Sequence, residues 1–552
     1  MNFDLKNLFP YRFPSTYSKS IAYFSMEFAI DQSLKTYSGG LGFLAGSHMR
    51  SAFELKQNLI GIGIYWKYGY YDQERNRDGS LKVNYVQKDY YFLEDTGIKF
   101  TIDIHRHPVH VKVLLLRPEI FNSAPIFYLS TDVPENDFLA QTICHRLYDN
   151  HESARIAQSI LLGVGGARLL DLLGRETEVY HMNEGHALPL CFYLLQKFNG
   201  DLSAVQQRVV FTTHTPEPAG NEEHAISTLE VMGFFQGADH ETIKSLAADT
   251  TTFNYTLAAL RMARVANGVS QLHGEVSREM WKSYPGICPI KAITNAQNQK
   301  FWMDEQLEKS WKKADEERML SRKKEMKREL FKVVADQTGR LFSEDIITIV
   351  WARRFAAYKR ADLILQDLEL FRELVSDKKH PVQIIWAGKP YPEDATSIEG
   401  FNRIFYVTKE FANCAVLTGY EIGLSGLLKK GSDVWLNNPK MYREASGTSG
   451  MTAAMNGSIN LSIPDGWIPE FAEHGKNCFL ITPAPDALSQ EEKDSIECAN
   501  LYRSLREEVL PIYYTKQKTW AKLMWRGISD VLPQFDANRM AAEYYQELYR
   551  VN

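Results

Sequence analysis

The chain has 552 residues, of which 44% are hydrophobic, and its formal net charge is −5. Its length suits about two to four domains with sizeable cores, and its acidic balance argues against a protein that binds nucleic acid over a broad surface. Its apolar stretches, such as Leu59 to Trp66, are far shorter than the ~20 residues of a membrane-spanning helix, so no membrane partner is expected.

The first residues, MNFDLKNLFPYRF, lack a basic start followed by an apolar run, so we expect no secretory signal. The six cysteines form no CxxC pair. Scattered reduced thiols in a cytoplasmic protein are therefore favoured over a disulfide framework or a structural zinc site. The cysteines are Cys144, Cys191, Cys288, Cys414, Cys478 and Cys498.

The first half of the chain alternates short apolar runs with helical patterns, which predicts an α/β domain. Ala154–Leu173 carries apolar residues at helical spacing and is predicted to be a helix. The predicted strands are Ile21–Met26, Leu59–Tyr65, Val109–Leu116, Ile126–Leu129, Glu178–Met182 and Arg208–Thr213.

Residues 303–332 separate this half from a second strand–helix series. Within them, Lys312–Arg328 mixes acids and bases at helical offsets, so we expect an exposed helix with local ion pairs rather than a basic docking site. The strands predicted beyond it are Ile346–Trp351, Val382–Trp386, Ala415–Leu417 and Val434–Leu436.

Short apolar strands that alternate with helices are typical of parallel, doubly wound sheets. The sequence therefore predicts an α/β protein with two Rossmann-like domains, residues 1–302 and 303–525, and an active site in the cleft between them. Residues 526–552 include an amphipathic helix, Asn538–Leu548, which we expect to pack back on the first domain.

A carboxylate followed by small residues marks the segment EASGTSGM, Glu444 to Met451. Small residues let backbone N–H groups approach a phosphate, and the amino end of a following helix adds a favourable field. Glu444 is suited to hold sugar hydroxyls. Taken alone, such a loop is more often a plain turn with a helix N-cap.

Four cations lie within the segment ARRFAAYKR, Ala352 to Arg360, directly after a predicted strand. Arginine offers paired donors and lysine a mobile point charge, so the segment suits a phosphate. A solvated helix start with salt bridges fits the same residues equally well.

Two motifs with histidines follow successive strands of the first half: HMNEGH (His181–His186) and TTHTP (Thr212–Pro216). A histidine at a strand exit can hold a sugar hydroxyl, although a lone histidine is more often structural. His181, His186 and His214 lack a carboxylate cluster and a ligand spacing, so no metal site is predicted.

A glycine-rich turn, YSGGLGF, runs from Tyr37 to Phe43 and can cradle a phosphate through backbone N–H groups. It is not GxGxxG, so a dinucleotide site is not expected. A second run, Gly163–Gly166, lies inside a helical pattern and indicates close helix packing.

Seven segments in order carry a resemblance that covers nearly the whole chain. The sequence resembles the glycogen/starch α-glucan phosphorylases, in particular their short bacterial form. The segments are YFSMEF (Tyr23–Phe28), YSGGLGFLAG (Tyr37–Gly46), HMNEGH (His181–His186), FTTHTPEPAG (Phe211–Gly220), ARRFAAYKR (Ala352–Arg360), WAGKPYP (Trp386–Pro392) and NNPKMYREASGTSGM (Asn437–Met451).

The resemblance implies a GT-B architecture and phosphorolysis of the terminal α-1,4 bond of a glucan, which gives glucose 1-phosphate with retention. It also implies pyridoxal phosphate as cofactor, whose phosphate assists proton transfer while its aldehyde is held by a lysine. Relatives commonly dimerise, so a homodimer is compatible with the resemblance.

The same resemblance assigns site residues. Arg354 and Lys359 should bind the substrate phosphate, and Arg353 the cofactor phosphate. Gly40 and the turn at Thr448 and Ser449 should add phosphate contacts.

His186 should lie against the transferred glucose, with its carbonyl near the oxocarbenium-like centre. Together with His186, the cations Arg354 and Lys359 and the carboxylate of Glu444 form the expected catalytic set. The residues expected to bind this sugar are Glu444, Ser446, Gly447, His214 and Asn295.

The sequence departs from the family pattern at three places. Thr452 stands where the cofactor lysine is expected, and a threonine forms no imine with an aldehyde. Ala296 to Asn298 replace a Gly-Val-His run, and Ser47 stands where short members usually have aspartate.

Thr452 leaves three interpretations open: the cofactor binds without a covalent link, another lysine reaches the aldehyde, or the cofactor is absent. In the last case the cations would serve a different leaving group, as in a GT-B glucosyltransferase that uses a nucleotide-sugar donor. A catalytically inactive glucan-binding relative is the remaining alternative.

Overall fold

The structure is a computed structural model that describes residues 7–217 and 220–550. Residues 1–6 of the MNFDLKNLFPYRF stretch and residues 218–219 of the FTTHTPEPAG segment lie outside the described residues. By its internal contacts the chain divides into two compact units. The first comprises Met1–Tyr71, Tyr85–Asn295 and Ala537–Asn552, and the second Asp72–Asn84 and Ala296–Asp536.

The chain passes from the first unit to the second between Asn295 and Ala296, and it returns to the first unit between Asp536 and Ala537. The domain boundaries predicted from sequence, 302/303 and 525/526, stay predictions. Within the first unit, Gln57 Nε2 donates to the carbonyl of Ala541 at 3.1 Å, so the end of the chain packs on the first unit's own core.

In the described part of the first unit, nine strands form one sheet, in which neighbouring strands pair in parallel except in the last two pairings, which are antiparallel. In spatial order they are β13 (Ile290–Ala292), β12 (Val265–Gly268), β9 (Val209–Thr212), β8 (Val179–Asn183), β1 (Ile21–Phe24), β2 (Leu59–Ile64), β7 (Ile126–Ser130), β6 (His107–Leu116) and β5 (Glu94–Ile104). A small antiparallel pair joins β10 (Glu223–Ala225) to β11 (Thr252–Asn254).

Helices cover this sheet, so its central strands are buried and their sequences are continuously apolar. The helices of the first unit are α1 (Gly40–Glu54), α2 (Pro118–Phe121), α3 (Phe138–Thr142), α4 (Glu152–Ile160), α5 (Gly166–Leu172), α6 (Pro189–Lys197), α7 (Leu202–Gln206), α8 (Ile226–Met232), α9 (His240–Leu246), α10 (Tyr255–Met262), α11 (Gln271–Trp281) and α22 (Ala537–Glu543).

The predicted helix Ala154–Leu173 is present, but it is not a single α-helix. A π-helical turn at Leu161–Gly165 joins α4 to α5. A Cβ atom at Gly163 would lie only 2.7 Å from the carbonyl oxygen of Ala187 and from the amide of Leu190. The prediction that this glycine run serves close helix packing is therefore confirmed.

The described part of the second unit contains a parallel sheet of six strands. In spatial order they are β16 (Cys414–Leu417), β15 (Val382–Ala387), β14 (Ile347–Ala352), β17 (Val434–Asn437), β18 (Ile459–Ser462) and β19 (Cys478–Leu480). The helices of this unit are α12 (Gln299–Trp302), α13 (Glu305–Lys312), α14 (Glu316–Thr338), α15 (Leu368–Ser376), α16 (Ala395–Thr408), α17 (Ile422–Gly431), α18 (Ser449–Met455), α19 (Gln490–Arg503), α20 (Leu510–Thr515) and α21 (Gln517–Phe535).

A hairpin of β3 (Asp72–Arg75) and β4 (Leu81–Asn84) belongs to the second unit although it lies early in the sequence. Gln73 anchors it, because its Nε2 donates to the carbonyl of Gly388 at 2.8 Å and its Oε1 accepts from the amides of Gly419 and Tyr420. Arg75 stacks on Phe405, with its guanidinium carbon 4.4 Å from the ring centroid.

The prediction of one exposed helix over Lys312–Arg328 is wrong in two respects. The segment forms two helices, because a turn separates α13 from α14, and Ala314 in this turn has a φ of +51°. Lys323 and Lys327 are buried rather than exposed, because their ammonium groups reach acceptors beneath the helix. The expected local ion pairs are present, for example between Arg322 and Glu325 at 2.8 Å.

Candidate active site

The centre of the candidate site in the second unit is a buried ion pair between Arg353 and Glu444. Arg353 directly follows β14, and Glu444 lies in the loop after β17. These two strands are parallel neighbours, so their carboxyl ends meet at one edge of the sheet. There Arg353 Nη2 donates to Glu444 Oε2, and Lys359 Nζ lies 3.5 Å from Glu444 Oε1.

The charged side chains of this cluster shift each other's pKa values. Burial alone would raise the pKa of Glu444, but the positive charges of Arg353 and Lys359 outweigh it and the pKa is lowered. Burial and the charge of Arg353 lower the pKa of Lys359 to about 7. Glu444 is therefore an anion at neutral pH, while Lys359 gains or loses its proton near neutrality.

One guanidinium nitrogen of the cluster still has donor capacity. Arg353 Nη1 is buried and has no hydrogen-bond partner among the residues that the structure describes. Gly447 leaves space beside the same guanidinium: it has a φ of +76°, and a Cβ atom there would lie 3.4 Å from Arg353 Nη2. An anion that reached Nη1 would satisfy this nitrogen.

The other members of the ARRFAAYKR segment divide into two groups. Arg354 is exposed, and its side chain hydrogen-bonds that of Tyr358. Burial and the charge of Glu444 raise the pKa of Tyr358 to about 12. Arg360 has a structural role, since its guanidinium pairs with Asp494 at 2.7 Å and with Glu497 at 2.6 Å. Three of the four cations, not all four, therefore remain candidates for anion binding.

Asp465 holds the backbone of the Glu444 loop. Its Oδ2 accepts from the amides of Arg443 and Glu444 at 3.1 and 3.0 Å. The next residue, Gly466, has a φ of +62° and lies against the carbonyl of Ser446 so closely that a Cβ atom would overlap with it. Asp465 and Gly466 therefore fix the positions of Glu444 and Ser446, although neither residue belongs to a sequence motif.

The loop continues into α18, a helix of seven residues that begins at Ser449 with Thr448 as its N-cap residue. Thr452 lies inside this helix and is fully buried. Its hydroxyl donates to the carbonyl of Ser449 at 3.0 Å and lies 3.4 Å from that of Thr448. Position 452 thus supplies a hydroxyl bonded to its own helix and no amine.

In the first unit, Glu27 connects the glycine-rich turn to His186. Its carboxylate accepts from the amides of Ser38 and Gly39 at 2.6 and 3.1 Å and from the hydroxyl of Tyr148 at 2.6 Å. The Tyr148 ring lies 5.7 Å from the His186 ring, centroid to centroid. Two amides of the turn are therefore used by a carboxylate, and a phosphate contact at this turn depends on Gly40.

His186 is held as a neutral imidazole. Burial lowers its pKa, and its Nδ1 is buried without a hydrogen-bond partner among the described residues. The adjacent Glu184 has a φ of +72°, which is unusual for a residue other than glycine and marks a constrained turn. A strained turn with an available ring nitrogen is typical of a ligand-binding position.

His214 lies in the same part of the first unit. Its Nε2 and Asn183 Oδ1 are 2.7 Å apart, and its amide donates to Glu184 Oε2 at 2.7 Å. Burial lowers the pKa of His214 to about 3, so its ring is neutral. Because Asn183 takes one ring nitrogen, His214 offers a sugar its other nitrogen or its backbone.

Asn295 follows β13, at the end of the first unit's sheet. Its amide donates to the carbonyl of Val269 at 2.9 Å, while its side-chain Oδ1 is buried without a hydrogen-bond partner among the described residues. Asn295 therefore has acceptor capacity for a ligand hydroxyl.

The structure thus brings the predicted residues together within each unit: Arg353, Lys359, Glu444 and Gly447 in the second, and His186 with His214 in the first. Sequence reasoning missed Glu27, Tyr148 and Asp465. Glu27 could have been identified from the sequence, because it lies in the YFSMEF segment that is part of the resemblance. Asp465 and Tyr148 lie outside every motif.

Comparisons with known proteins define the class. Residues 251–504 match the family model described as carbohydrate phosphorylase. The chain is 34% identical to a maltodextrin phosphorylase of Thermococcus litoralis, over 97% of this chain and 71% of the relative. It is 31% identical to a glycogen phosphorylase of Mycobacterium tuberculosis, over 96% of this chain and 70% of the relative.

The chain belongs to the carbohydrate phosphorylase family, as the resemblance predicted. A further relative, an uncharacterized protein of Methanocaldococcus jannaschii, is 46% identical over 96% of this chain and its whole own length. Among residues 7–217 and 220–550, no helix is long and apolar enough to cross a membrane. In the same ranges, no group of three or more His, Cys, Asp or Glu side chains is placed to hold a metal ion.

Proposed function

We propose that this protein is an α-glucan phosphorylase: it transfers the terminal glucosyl residue of an α-1,4-glucan to inorganic phosphate and releases glucose 1-phosphate with retention. The buried Arg353–Glu444–Lys359 cluster carries this proposal. It joins two cations, suited to a phosphate, to a carboxylate suited to sugar hydroxyls, within one loop system. Membership in the carbohydrate phosphorylase family supports the same reaction.

On the phosphate side, Arg354 and Lys359 bind the substrate phosphate as charge-assisted donors. Arg354 is exposed and Lys359 is largely buried, with 12% of its side chain accessible. A dianion beside Lys359 raises the pKa of that lysine again, because the opposite charge favours the ammonium form. Phosphate binding and protonation of Lys359 are therefore coupled.

On the sugar side, Glu444 and the backbone of Ser446 and Gly447 hold the hydroxyls of the transferred glucose. His186 and His214 add contacts from the first unit, and Asn295 offers its amide oxygen, which has no hydrogen-bond partner among the described residues. Both histidines are neutral, so they hydrogen-bond a neutral sugar without adding positive charge near an oxocarbenium-like centre.

The proton that the reaction needs comes from the substrate phosphate itself. The substrate phosphate gives its proton to the glucosidic oxygen as the C–O bond breaks, and one of its oxygens then bonds the anomeric carbon from the same face. The positive charges of Arg354 and Lys359 stabilise the phosphate dianion and trianion character during this exchange. The shortened glucan and glucose 1-phosphate are the products.

The residues present suit the phosphate group of pyridoxal phosphate, but they do not supply the expected lysine for its aldehyde. Arg353 Nη1 is a buried donor without a partner among the described residues, and Gly447, which has no side chain, lies beside the other terminal nitrogen of the same guanidinium. Arg353, Thr448 and Ser449 would hold the cofactor phosphate, but Thr452 supplies no amine for its aldehyde. When bound, the cofactor supplies a second phosphate that buffers the proton of the substrate phosphate.

The GT-B fold class is part of this proposal. It requires His186 of the first unit and Arg354 of the second to act on one substrate. Substitution of either residue should therefore remove the same activity, while substitution of an exposed residue away from both should not.

A second candidate function follows from Thr452 alone. Without an amine at this position, the cations would stabilise the diphosphate leaving group of a nucleotide-sugar donor, which poses the same electrostatic problem. The two functions separate in one assay of the purified chain with maltodextrin. Phosphate-dependent release of glucose 1-phosphate supports the phosphorylase, and phosphate-independent release of a nucleotide from a sugar nucleotide supports the transferase.

A further inference from the structure

The segment WAGKPYP (Trp386–Pro392) lies beside the backbone of Arg353 in the second unit. The Arg353 amide donates to the carbonyl of Ala387, the last residue of β15, at 3.2 Å. Beyond the end of the strand, the Phe355 amide donates to the carbonyl of Lys389, also at 3.2 Å. The segment therefore holds the backbone of Arg353 on both sides of that residue.

Gly388 makes the closest contact between this segment and Arg353. It has a φ of +151°, and a Cβ atom there would lie only 1.8 Å from the carbonyl oxygen of Arg353. Because glycine has no Cβ atom, it allows the two backbones to approach this closely. A displacement of the Gly388 peptide would therefore displace the backbone of Arg353.

The buried side chain of Gln73, on β3, binds this peptide. Gln73 Nε2 donates to the carbonyl of Gly388 at 2.8 Å. Its Oε1 accepts from the amides of Gly419 and Tyr420 at 3.0 and 3.2 Å, which uses both lone pairs of that oxygen. One side chain thus joins the loop after β15 to the loop after β16.

The loop after β16 also reaches the chain next to Arg353. The hydroxyl of Tyr420 donates to the carbonyl of Ala352, the residue before Arg353, at 3.3 Å. Both loops that Gln73 joins therefore contact the backbone at or beside Arg353.

Gln73 is held in place by the other contacts of its hairpin. Arg75 Nη2 donates to the carbonyl of Val416 at 2.5 Å, which fixes β3 to β16. The amide of Leu81 donates to Asn402 Oδ1 at 2.8 Å, which fixes β4 to α16. Gln73 therefore reaches the two loops from a support that does not depend on Gln73 itself.

We propose that Gln73 is a positioning residue for Arg353. It fixes the Gly388 peptide, and through that peptide it fixes the backbone from which the Arg353 guanidinium reaches Glu444. This inference rests on the proposed phosphorylase function, in which Arg353 and Glu444 serve the phosphate and the sugar. A displacement of about 1 Å in such a group can lower the rate by about 100-fold.

Two substitutions at Gln73 test this role. Gln73→Glu keeps the shape of the side chain and its acceptors for the two amides, but it loses the donor to the Gly388 carbonyl. Gln73→Met removes all three hydrogen bonds without adding a charge, and it serves if the glutamate variant does not fold. The ion pair between Lys389 and Glu421, at 3.1 Å, joins the same two loops and should help both variants to fold.

Gln337 offers matched controls. Its Nε2 donates to the carbonyl of Thr418 at 3.1 Å, and its Oε1 accepts from the amide of Thr418 at 2.9 Å. Gln337→Glu and Gln337→Met therefore remove the same kinds of hydrogen bond from the residue next to Gly419, without removing a bond to Gly388.

The first measurement is the initial rate of phosphorolysis per folded chain, well below the midpoint of thermal unfolding. The Gln73 variants should lose at least about tenfold in kcat/KM, whereas the Gln337 variants should stay within about twofold of the unchanged chain. A merely structural role would lower the unfolding midpoint and leave kcat/KM per folded chain unchanged. Unchanged kcat/KM in both Gln73 variants would therefore overturn the proposal.

The second measurement needs no turnover. Crystal structures of the variants should show the guanidinium of Arg353 moved away from Glu444 when Gln73 is replaced, and in place when Gln337 is replaced. An unchanged Arg353–Glu444 pair in both Gln73 variants would overturn the positioning role, whatever the rates. If the unchanged chain releases no glucose 1-phosphate, the proposed function fails, and the crystal structures still decide the role of Gln73.

Discussion

Arg353 and Glu444 are 91 positions apart in the sequence, yet their side chains form a buried ion pair that joins the loops after two neighbouring strands. Each charge is largely removed from water, so each depends on the other for compensation. Lys359 contacts the second carboxylate oxygen. The pair therefore serves both the fold of these loops and the chemistry proposed for them.

Glu444→Gln should damage stability and activity together. The substitution leaves Arg353 buried without its counter-ion, which costs about 3–5 kcal/mol, and it should reduce kcat/KM for phosphorolysis by about 100-fold or more. Thermal unfolding and initial rates measure the two effects. Glu305→Gln, which breaks an exposed pair with Lys309 on α13, is the matched control and should leave the midpoint of thermal unfolding nearly unchanged, because exposed ion pairs contribute little to stability.

Lys359 should make phosphate binding depend on pH. Its pKa is lowered to about 7, so the unliganded protein loses this positive charge as the pH rises through that value. The KM for phosphate should then rise by up to about tenfold per pH unit at alkaline pH. Lys359→Arg keeps its charge throughout; a variant whose KM rises as steeply as that of the unchanged chain would show that Lys359 is not the titrating group.

Arg354→Ala should abolish phosphate-dependent turnover and leave the fold intact. Arg354 is exposed, so its loss creates no cavity and no buried unpaired charge. Circular dichroism and the midpoint of thermal unfolding should match those of the unchanged chain, while glucose 1-phosphate release disappears. Unchanged turnover would remove Arg354 from the phosphate site.

Gly466→Ala should disturb the Glu444 loop through the backbone. At a φ of +62°, a Cβ atom would overlap with the carbonyl oxygen of Ser446, and strain of this kind costs roughly 1–3 kcal/mol. Gly475→Ala is the matched control, since Gly475 has a φ of +73° and no described atom lies within 4 Å of its Cβ position. Equal losses of stability and activity in both variants would contradict the positioning role of Gly466.

The buried strands were the most predictable part of the fold. Continuous apolar runs such as Val382–Trp386 predict a strand, and β15 spans Val382–Ala387. Strand β12, Val265–Gly268, was missed because its sequence VANG contains asparagine and glycine, which are poor strand formers. The hairpin of β3 and β4 was missed because its residues are polar and are stabilised by contacts with distant positions such as Gly388.

For the site, motifs identified Arg353, Lys359 and Glu444 but not their pairing. The pairing depends on which strands are neighbours in the sheet, and a local sequence pattern does not predict the order of strands. Arg360 was counted among the anion-binding cations, and only the structure shows it paired with Asp494 and Glu497.

The most direct test of the proposed function is glucose 1-phosphate formation by the purified chain from maltodextrin, with and without inorganic phosphate. The phosphorylase proposal predicts release that needs phosphate, disappears in Arg354→Ala and weakens at least 100-fold in Glu444→Gln. Absence of glucose 1-phosphate at saturating phosphate, together with nucleotide release from a sugar-nucleotide donor, would contradict it and establish the transferase instead.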